Sequence, residues 1–310
     1  MRTETHKVPK LSKPVRLQEY GVGLFTMAFT KSALKKALKR NYITVNDKPA
    51  STATWIRSED SIRLHMPDKA DSRRESLICL NILFEDDFLA SIYKPAGVLV
   101  SGNKFKTIAN SLSYCIQHSR LPDAIRPQPV HRLDFSTTGI LLAGKTSKSI
   151  RLLNKMFERQ EIRKSYIAIA IGSMEPEGFI DKEIDGKKAE TRFRICSTVP
   201  SQKFGQLNLI LLNPLTGRRH QLRKHLENIG NPILGDKTYG TGNTTSKGKG
   251  MYLHAFSIHF IHPFTLQKTE IFAPIPQRFK KIFVDIEEIL ANEYNRSIRI
   301  DNPSNPLVKN

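Results

Sequence analysis

The stretch HRLDFSTTGILLA, residues 131–143, presents a single carboxylate, Asp134, at a turn that leads into an apolar strand. Arg132 lies two residues before this acid, and Gly139 lies five residues after it. Proteins place a reactive acid on a rigid edge in this way, where a loop joins a scaffold strand. The alternative is a structural aspartate that caps its own turn. Asp134 is therefore a candidate catalytic residue whose role depends on the motifs around it.

The charge balance of the chain favours a polyanionic partner. Its 310 residues include 49 Lys and Arg against 29 Asp and Glu, which gives a net charge of +20. Nucleic acid is the default partner of so basic a protein, and a solubilising surface is the alternative. The sequence has no apolar run near the roughly 18 residues that span a bilayer, and its polar N-terminus lacks a signal-peptide core. We expect a cytoplasmic protein with no membrane partner.

The spacing of cysteine and histidine argues against a metal site. Cys79, Cys115 and Cys196 are far apart and form no C-x-x-C pair, so neither a zinc site nor a disulfide framework is expected. His131 and His254 have no second histidine or cysteine two to four residues away. We therefore expect structural histidines and no bound metal.

Residues 1–70 are predicted to form a separate, small α/β module. The segment KSALKKALKR, residues 31–40, predicts a helix with Leu34 and Leu38 on one face. Lysines at every fourth position form a stripe along this helix: Lys31, Lys35 and Lys39. A solvated helix face is the alternative, but the preceding segment is also basic, so we expect this module to bind RNA. A polar linker, a catalytic domain and a C-terminal tail are expected at residues 71–77, 78–292 and 293–310.

The remainder of the chain alternates strands with a few helices. Hairpin-length spacing between the strands predicts an α+β fold, with a mostly antiparallel mixed sheet and flanking helices. The helices are expected at residues 108–118, 147–158, 219–228 and 276–293. Residues 299–310 are expected to be disordered.

Further polar segments follow the acid in the order KSYIA, residues 164–168, and TGRRHQLRKH, residues 216–225. Together with residues 131–143, they resemble the RluA-type pseudouridine synthases. In that family, H-R-L-D-x-x-T-x-G carries the catalytic aspartate, K-x-Y-x-A carries a tyrosine, and T-G-R-x-H-Q-[IL]-R carries an arginine. The resemblance covers residues 78–285. Residues 14–66 resemble a small RNA-binding domain that is named after a ribosomal small-subunit protein.

The resemblance implies a pseudouridine synthase fold that acts on RNA without a cofactor or nucleotide. It places the catalytic roles on Asp134, Tyr166 and Arg223. Isomerisation breaks the N1–C1′ bond of uridine and rejoins the base through C5, so one nucleophilic or charge-stabilising carboxylate is sufficient. A nearby arginine, here Arg223, would keep that carboxylate ionised. Whether the acid attacks the ribose, attacks the base or assists glycal formation stays open.

The other site residues are assigned to RNA contact. Tyr166 would stack on the uracil or take the proton from C5, and a core aromatic is the alternative. Arg132 would fill the space of a flipped nucleotide, or contact a phosphate. Leu222 is expected to pack against Tyr166. The remaining candidates for RNA contact are Lys164, Arg218, Arg219 and His220. Arg219 stands where the family usually has a small polar residue.

The leading hypothesis is an RNA uridine isomerase that acts on large-subunit ribosomal RNA rather than tRNA, because an appended RNA-binding module is commoner on ribosomal RNA enzymes. The alternative is a non-catalytic RNA-binding or ribosome-assembly protein that retains the fold. Phosphoryl transfer is discarded, because the sequence has no glycine-rich nucleotide loop and no Asp-Phe-Gly motif. A monomer is the default expectation.

Overall fold

The chain divides into two compact units, Met1–Ser76 and Leu77–Asn310. The computed structural model describes residues 2–66, 78–104, 106–240 and 250–301. The linker expected at residues 71–77 lies outside the described residues.

The first unit consists of short strands and helices around its own core. Its elements are β1 (Arg2–Lys7), β2 (Val15–Arg16), α1 (Leu17–Tyr20), α2 (Lys31–Lys39), β3 (Ile43–Val45), β4 (Lys48–Pro49), β5 (Trp55–Ile56) and β6 (Ser61–Met66). Antiparallel pairing gives a sheet in the order β1-β6-β3-β4, and β2 pairs with β5.

Helix α2 confirms the helix predicted for residues 31–40. It begins after Thr30, whose hydroxyl oxygen accepts a hydrogen bond from the Ala33 N–H at 3.2 Å. Leu34 and Leu38 are buried. The three lysines of the predicted stripe are exposed. The amphipathic pattern therefore fixes which face of α2 packs on the core of this unit.

The second unit contains most of the secondary structure. Its strands are β7 (Asn81–Glu85), β8 (Leu89–Lys94), β9 (Ala124–Pro129), β10 (Thr138–Thr146), β11 (Arg163–Ile171), β12 (Glu177–Ile180), β13 (Thr191–Ser201), β14 (Gly205–Pro214), β15 (Leu253–Ile261) and β16 (Lys268–Phe272). Its helices are α3 (Ile108–Cys115), α4 (Ser147–Glu158), α5 (Gln221–Asn228), α6 (Gln277–Lys280) and α7 (Ile286–Asp301). The prediction for residues 147–158 is confirmed.

These strands form one large mixed sheet. Eight follow the order β12-β13-β14-β11-β15-β10-β8-β7, while β9 pairs with β10 and β16 with β15. Strands β10 and β15 run parallel, and the other pairs in the described part of this sheet are antiparallel. The predicted α+β class with a mostly antiparallel mixed sheet is confirmed.

Strand β10 is buried throughout and anchors both faces of the sheet. Leu141 belongs to the apolar cluster that includes α3 residues, whereas Ile140 and Leu142 belong to the cluster that includes α4 residues. Gly139 has a φ of 112°, and a Cβ there would lie 2.1 Å from the carbonyl oxygen of Ala255. Only glycine permits this approach of β15 to the start of β10. The residue five positions after Asp134 is therefore required by the sheet itself.

Three predicted helices differ from the structure: two in the position of one end, and one because it is interrupted. The first ends at Cys115 instead of residue 118. The second begins at Gln221 instead of residue 219, because His220 has a left-handed backbone with a φ of 56°. The helix predicted at residues 276–293 is two helices, α6 and α7.

The division between α6 and α7 has a local cause. Asp285 precedes α7, and its carbonyl oxygen accepts a hydrogen bond from the Ile289 N–H at 3.0 Å. An aspartate at this position, followed by Glu287 and Glu288 in the first turn, favours the start of a new helix. Helix α7 continues to Asp301, past the start of the tail predicted at residue 293. Residues 302–310 of the predicted tail lie outside the described residues.

Candidate active site

Asp134 lies in the turn that precedes β10. Its backbone carbonyl closes the turn by accepting a hydrogen bond from the Thr137 N–H at 3.1 Å. Its side chain is turned to Arg223, whose Nη1 donates to Oδ2 of Asp134 at 3.2 Å. The carboxylate is therefore engaged across the sheet rather than with its own turn.

Lys94 supports this turn from the end of β8. The side chain is fully buried, and its Nζ donates to the carbonyl oxygens of Phe135 at 3.3 Å and Thr137 at 2.8 Å. Burial lowers the pKa of Lys94 to about 8, an effect that the Asp134 carboxylate partly offsets. Lys94 thus joins the end of β8 to the backbone that carries the acid.

Arg223 is held by a second carboxylate on its other edge. Its Nε donates to Oδ2 of Asp236 at 2.6 Å, and its Nη2 donates to Oδ1 at 2.8 Å. Burial alone would lower the pKa of Arg223, but the hydrogen bonds and charges of Asp236 and then Asp134 raise it. Such a two-point contact fixes the plane of a guanidinium as well as its charge. Asp134 therefore faces an arginine of fixed orientation.

Asp236 is itself fixed by the turn that follows it. The backbone N–H groups of Thr238 and Tyr239 donate to its Oδ1 at 2.9 and 3.2 Å. Burial would raise the pKa of Asp236, but the hydrogen bonds from Arg223 and from this turn outweigh it and lower the pKa. The guanidinium carbon of Arg223 also lies 4.9 Å from the centre of the Tyr239 ring.

His220 lies on the other side of the acid. Its Nε2 is 3.8 Å from Oδ1 of Asp134, and its Nδ1 is 2.9 Å from the hydroxyl of Tyr239. Burial is the largest cause that lowers the pKa of His220; Asp134 acts in the opposite direction, and Arg223 and Arg219 lower the pKa further. The lowered pKa of His220 disfavours its charged form, so Arg223 is the main cation that faces the acid.

Tyr166 lies near the start of β11, beside an irregularity between Ser165 and Tyr166 in the pairing with β15. Burial raises the pKa of the Tyr166 hydroxyl, and the Asp134 carboxylate raises it further. The phenol is therefore kept protonated. Leu222 is buried in the apolar cluster against which Tyr166 packs, consistent with the expected neighbourhood of the two residues.

A cavity of about 590 Å³ joins these groups, a size suited to a small ligand or one nucleoside. The candidate site residues from the second unit line it together: Asp134, Tyr166, Arg223, Arg132, Lys164, Arg218, Arg219, His220 and Leu222. The stripe of Lys31, Lys35 and Lys39 belongs to the other unit.

The basic lining residues differ in how freely they can move. Arg132 and Arg219 are exposed. Arg218 is tied down, because its Nε donates to the carbonyl oxygen of Lys188 at 2.9 Å. Lys164 Nζ lies 5.8 Å from the centre of the Phe157 ring, and burial lowers its pKa.

Sequence reasoning missed three residues of this site. They are Lys94, in the segment Lys-Pro-Ala-Gly, and Asp236 and Tyr239, which follow the arginine motif in the chain. The signal that could have indicated Asp236 is an acid that directly follows Gly235, at a turn close to the arginine motif. His220, expected to contact RNA, lies beside the acid as well.

The two histidines considered as ligands have structural contacts. His131 Nε2 accepts a hydrogen bond from the Leu142 N–H at 2.9 Å. His254 Nδ1 lies 2.8 Å from the Thr138 hydroxyl. Within residues 2–66, 78–104, 106–240 and 250–301, no three His, Cys, Asp or Glu side chains come together as metal ligands. Across the same ranges, no helix has the length and apolar content needed to cross a membrane.

Comparison with known proteins identifies the family of this chain. Residues 89–228 match the family described as RNA pseudouridylate synthase. The chain is 30% identical to ribosomal large subunit pseudouridine synthase D of Vibrio cholerae, over 92% of this chain and 95% of that protein. It is 33% identical to tRNA pseudouridine synthase C of Haemophilus ducreyi, over 66% of this chain and 94% of that protein.

A solved structure, human RNA pseudouridylate synthase domain containing 1, is 25% identical and has a TM-score of 0.53, covering 64% of this chain and 84% of the human chain. The chain belongs to the RluA-type family of RNA pseudouridine synthases. It is accordingly an isomerase, and the resemblance inferred from the motifs is confirmed.

Proposed function

We propose that this protein converts specific uridines of large-subunit ribosomal RNA into pseudouridine. The observation that carries the proposal is the contact of 3.2 Å between Asp134 and Arg223 in a cavity of nucleoside size. The reaction breaks the N1–C1′ bond and forms a C5–C1′ bond. The proton lost from C5 is balanced by the proton gained at N1. One carboxylate in a fixed position is sufficient for this isomerisation.

In this proposal, Asp134 supplies the nucleophilic or charge-stabilising carboxylate. Arg223 keeps it oriented, because Asp236 prevents the guanidinium from turning. Lys94 holds the turn that carries Asp134 by its hydrogen bond to the carbonyl oxygen of Thr137. The acid can then meet the target nucleotide without rearrangement of its own loop.

Tyr166 stacks on the uracil and presents its hydroxyl to the reacting atoms. Its raised pKa makes it a poor base while Asp134 is charged. If the acid forms a bond to carbon, its charge is lost and this effect on Tyr166 disappears. In this proposal Tyr166 accepts the C5 proton after the carboxylate has reacted, while burial, the larger cause, still raises its pKa.

The exposed Arg132 enters the space that the flipped nucleotide leaves, and the other basic lining residues hold the RNA backbone. Flipping is needed because a base inside a helix cannot reach a side chain at the floor of a cavity. In this proposal, RNA binding and chemistry lie in different parts of the chain. Residues 1–70 bind RNA, residues 71–77 are a linker, and residues 78–292 form the catalytic domain.

Ribosomal RNA is favoured as the substrate, because a relative named for the large ribosomal subunit matches more of this chain than a relative named for tRNA. The Vibrio cholerae relative, named for the large ribosomal subunit, covers 92% of this chain, so its match includes part of the first unit. The relative named for tRNA covers only 66%. With residues 1–70 as an RNA-binding module, we propose a cytoplasmic monomer that needs no nucleotide cofactor.

The test is a pseudouridine map of total RNA from cells that lack the gene, complemented with wild type or with Asp134→Asn. Loss of a site in the knockout, with rescue by wild type alone, is the expected result. The exposed Asp87→Asn serves as the control carboxylate and should rescue fully.

Purified protein separates the remaining outcomes. Wild type should form pseudouridine in large-subunit ribosomal RNA transcribed in vitro, and Asp134→Asn should bind that RNA without converting it. Full activity of Asp134→Asn would overturn the catalytic assignment. Activity on tRNA transcripts alone would overturn the ribosomal substrate. RNA binding by wild type with no product would favour a ribosome-assembly role.

A further inference from the structure

A second cavity adjoins the site and has no role in the chemistry above. We call it the flank groove, a cavity of about 950 Å³ whose lining includes Arg163, Phe179, Arg192, Arg194, Asn213 and Glu293. It shares Gln160, Lys164, Pro214 and Leu215 with the active-site cavity. A chain that leaves the active site past Lys164 and Pro214 therefore enters the flank groove directly.

The register of three neighbouring strands builds the floor of the flank groove. Phe179 on β12 is paired with Arg192 on β13, and Arg192 is paired with Asn213 on β14. Directly paired residues project from the same face of a sheet, with strands about 4.8 Å apart. An aromatic ring, a guanidinium and an amide thus form one row across the sheet.

This row is open to solvent. Phe179 is 49% exposed, although its neighbour Ile180 is buried. Arg192 is exposed, and its side chain makes no hydrogen bond or ion pair with any residue that the structure describes. An unpaired guanidinium beside a half-exposed aromatic ring is suited to a phosphate and a base, respectively.

A neighbouring arginine is committed differently. Arg194 Nη2 lies 2.9 Å from Glu177 Oε2, and its Nη1 lies 3.5 Å from Glu293 Oε2. Arg194 is therefore neutralised locally and holds the rim of the flank groove. Arg192 is left to attract an anion from outside the protein.

We propose that the flank groove binds a nucleotide next to the target uridine, with its base on Phe179 and its phosphate on Arg192. The inference rests on the proposed function, because the neighbouring cavity must first receive the target. RNA loops splay their bases outward, and aromatic side chains bind such bases by stacking. Asn213 adds a donor and an acceptor for a base edge, which would give this subsite a sequence preference.

The test compares the double variant Phe179→Ala/Arg192→Ala with Phe179→Tyr/Arg192→Lys, which retains the ring and the charge. The substrate is large-subunit ribosomal RNA transcribed in vitro, and the full chain is used. KM should rise about tenfold in the alanine variant, while kcat stays within about twofold of wild type. The conservative variant should retain a KM close to that of wild type. An unchanged KM in the alanine variant would overturn the proposal.

Direct binding separates this proposal from the function on which it rests. In an Asp134→Asn background, the dissociation constant for the same RNA should rise about tenfold in the alanine variant. If wild type forms no pseudouridine, the proposed function fails, and the dissociation constant alone decides about the flank groove. Equal dissociation constants would mean that the flank groove serves another partner, such as a protein. Matching circular dichroism spectra would exclude misfolding as the cause of a loss.

Discussion

Helices α2 and α5 both carry several basic residues, but they use them in opposite ways. On α2, Lys31 and its two companions in the stripe are exposed and make no ion pair with the residues that the structure describes. On α5, Arg223 is buried and bound by Asp134 and Asp236. The exposed lysines of α2 leave their positive charge available for a polyanion. The charge of Arg223 is paired within the protein, where it orients Asp134. Net charge alone does not distinguish these two uses.

The difference predicts different kinds of failure. Exposed lysines act through counterion release from RNA, so their loss should weaken binding in a salt-dependent way. A buried arginine acts through the position of one carboxylate, so a change in its support should reduce turnover. Substitutions in each unit test this difference.

The largest effect is expected when Asp236→Asn removes the second carboxylate from Arg223. We expect kcat to fall by about 100-fold, because a small misplacement of a reacting group has an effect of this size. Stability should fall by about 3 kcal/mol, the lower end for a broken buried ion pair, because Asp134 remains as a partner. Single-turnover kinetics should show the loss in the chemical step, and the dissociation constant for RNA should stay close to that of wild type.

Asp185→Asn is the matched control for Asp236→Asn. Asp185 is exposed and accepts a hydrogen bond at 2.8 Å from Lys224, the residue after Arg223. Exposed pairs of this kind contribute little, so its activity should stay within about twofold of wild type. Equal losses in the two variants, or a loss confined to RNA binding, would refute a positioning role for Asp236.

The sequence indicated the members of the active site better than their arrangement. The motifs identified Asp134, Tyr166 and Arg223, and all three line one cavity. The second partner of Arg223 was not predicted, because the acid after Gly235 near the arginine motif also fits an ordinary turn residue. The left-handed backbone of His220 was equally hidden, since a basic run without glycine or proline suggests a continuous helix.

The fold shows the same limit at a larger scale. Local periodicity predicted α4 correctly, because its N-cap and apolar face lie within the helix and its flanking residue. The parallel pairing of β10 with β15 joins Thr138 to His254, which are far apart in sequence. Such a pairing depends on the order of strands in the sheet rather than on local pattern. The one residue near β10 that reflects this pairing in the sequence is Gly139, where β15 approaches too closely for a side chain.

A smaller effect is expected in the first unit from the triple substitution of Lys31, Lys35 and Lys39 by alanine. We expect KM to rise about tenfold with kcat unchanged, because three phosphate contacts are lost. The slope of log affinity against log salt should decrease by about 2 to 3, close to one unit for each lysine. Affinity measured across a range of salt concentrations would check this.

The same three positions changed to arginine provide the control, since arginine keeps the charge. That variant should restore both the affinity and the salt slope. If the alanine triple variant binds RNA like wild type, the stripe is an ordinary solvated helix face. If instead the alanine variant loses kcat, the contrast between the two units would be wrong.

The smallest effect concerns buried histidine in the second unit. His254 is fully buried, and burial lowers its pKa from 6.5 to about 3 in the folded protein. The unfolded chain therefore takes up this proton first as the pH falls below 6.5. The contribution of neutral His254 to the free energy of unfolding is complete above pH 6.5. It is lost between pH 6.5 and 3, at a rate of up to about 1.4 kcal/mol per pH unit. His254→Asn should remove this part of the acid sensitivity.

The chain provides its own internal control for that measurement. Its one tryptophan is Trp55, in the first unit, so tryptophan fluorescence follows that unit while far-ultraviolet circular dichroism follows both. Urea unfolding of the full chain between pH 7.5 and 5.5 should show a shallower pH dependence in His254→Asn by circular dichroism, by on the order of 1 kcal/mol. The fluorescence transition should not change. An unchanged slope in both signals would mean that His254 binds a proton in the folded protein as readily as in the unfolded chain. Burial in the second unit would then not exclude water from its ionisable side chains, and the contrast between buried Arg223 and the exposed lysines of α2 would be weakened.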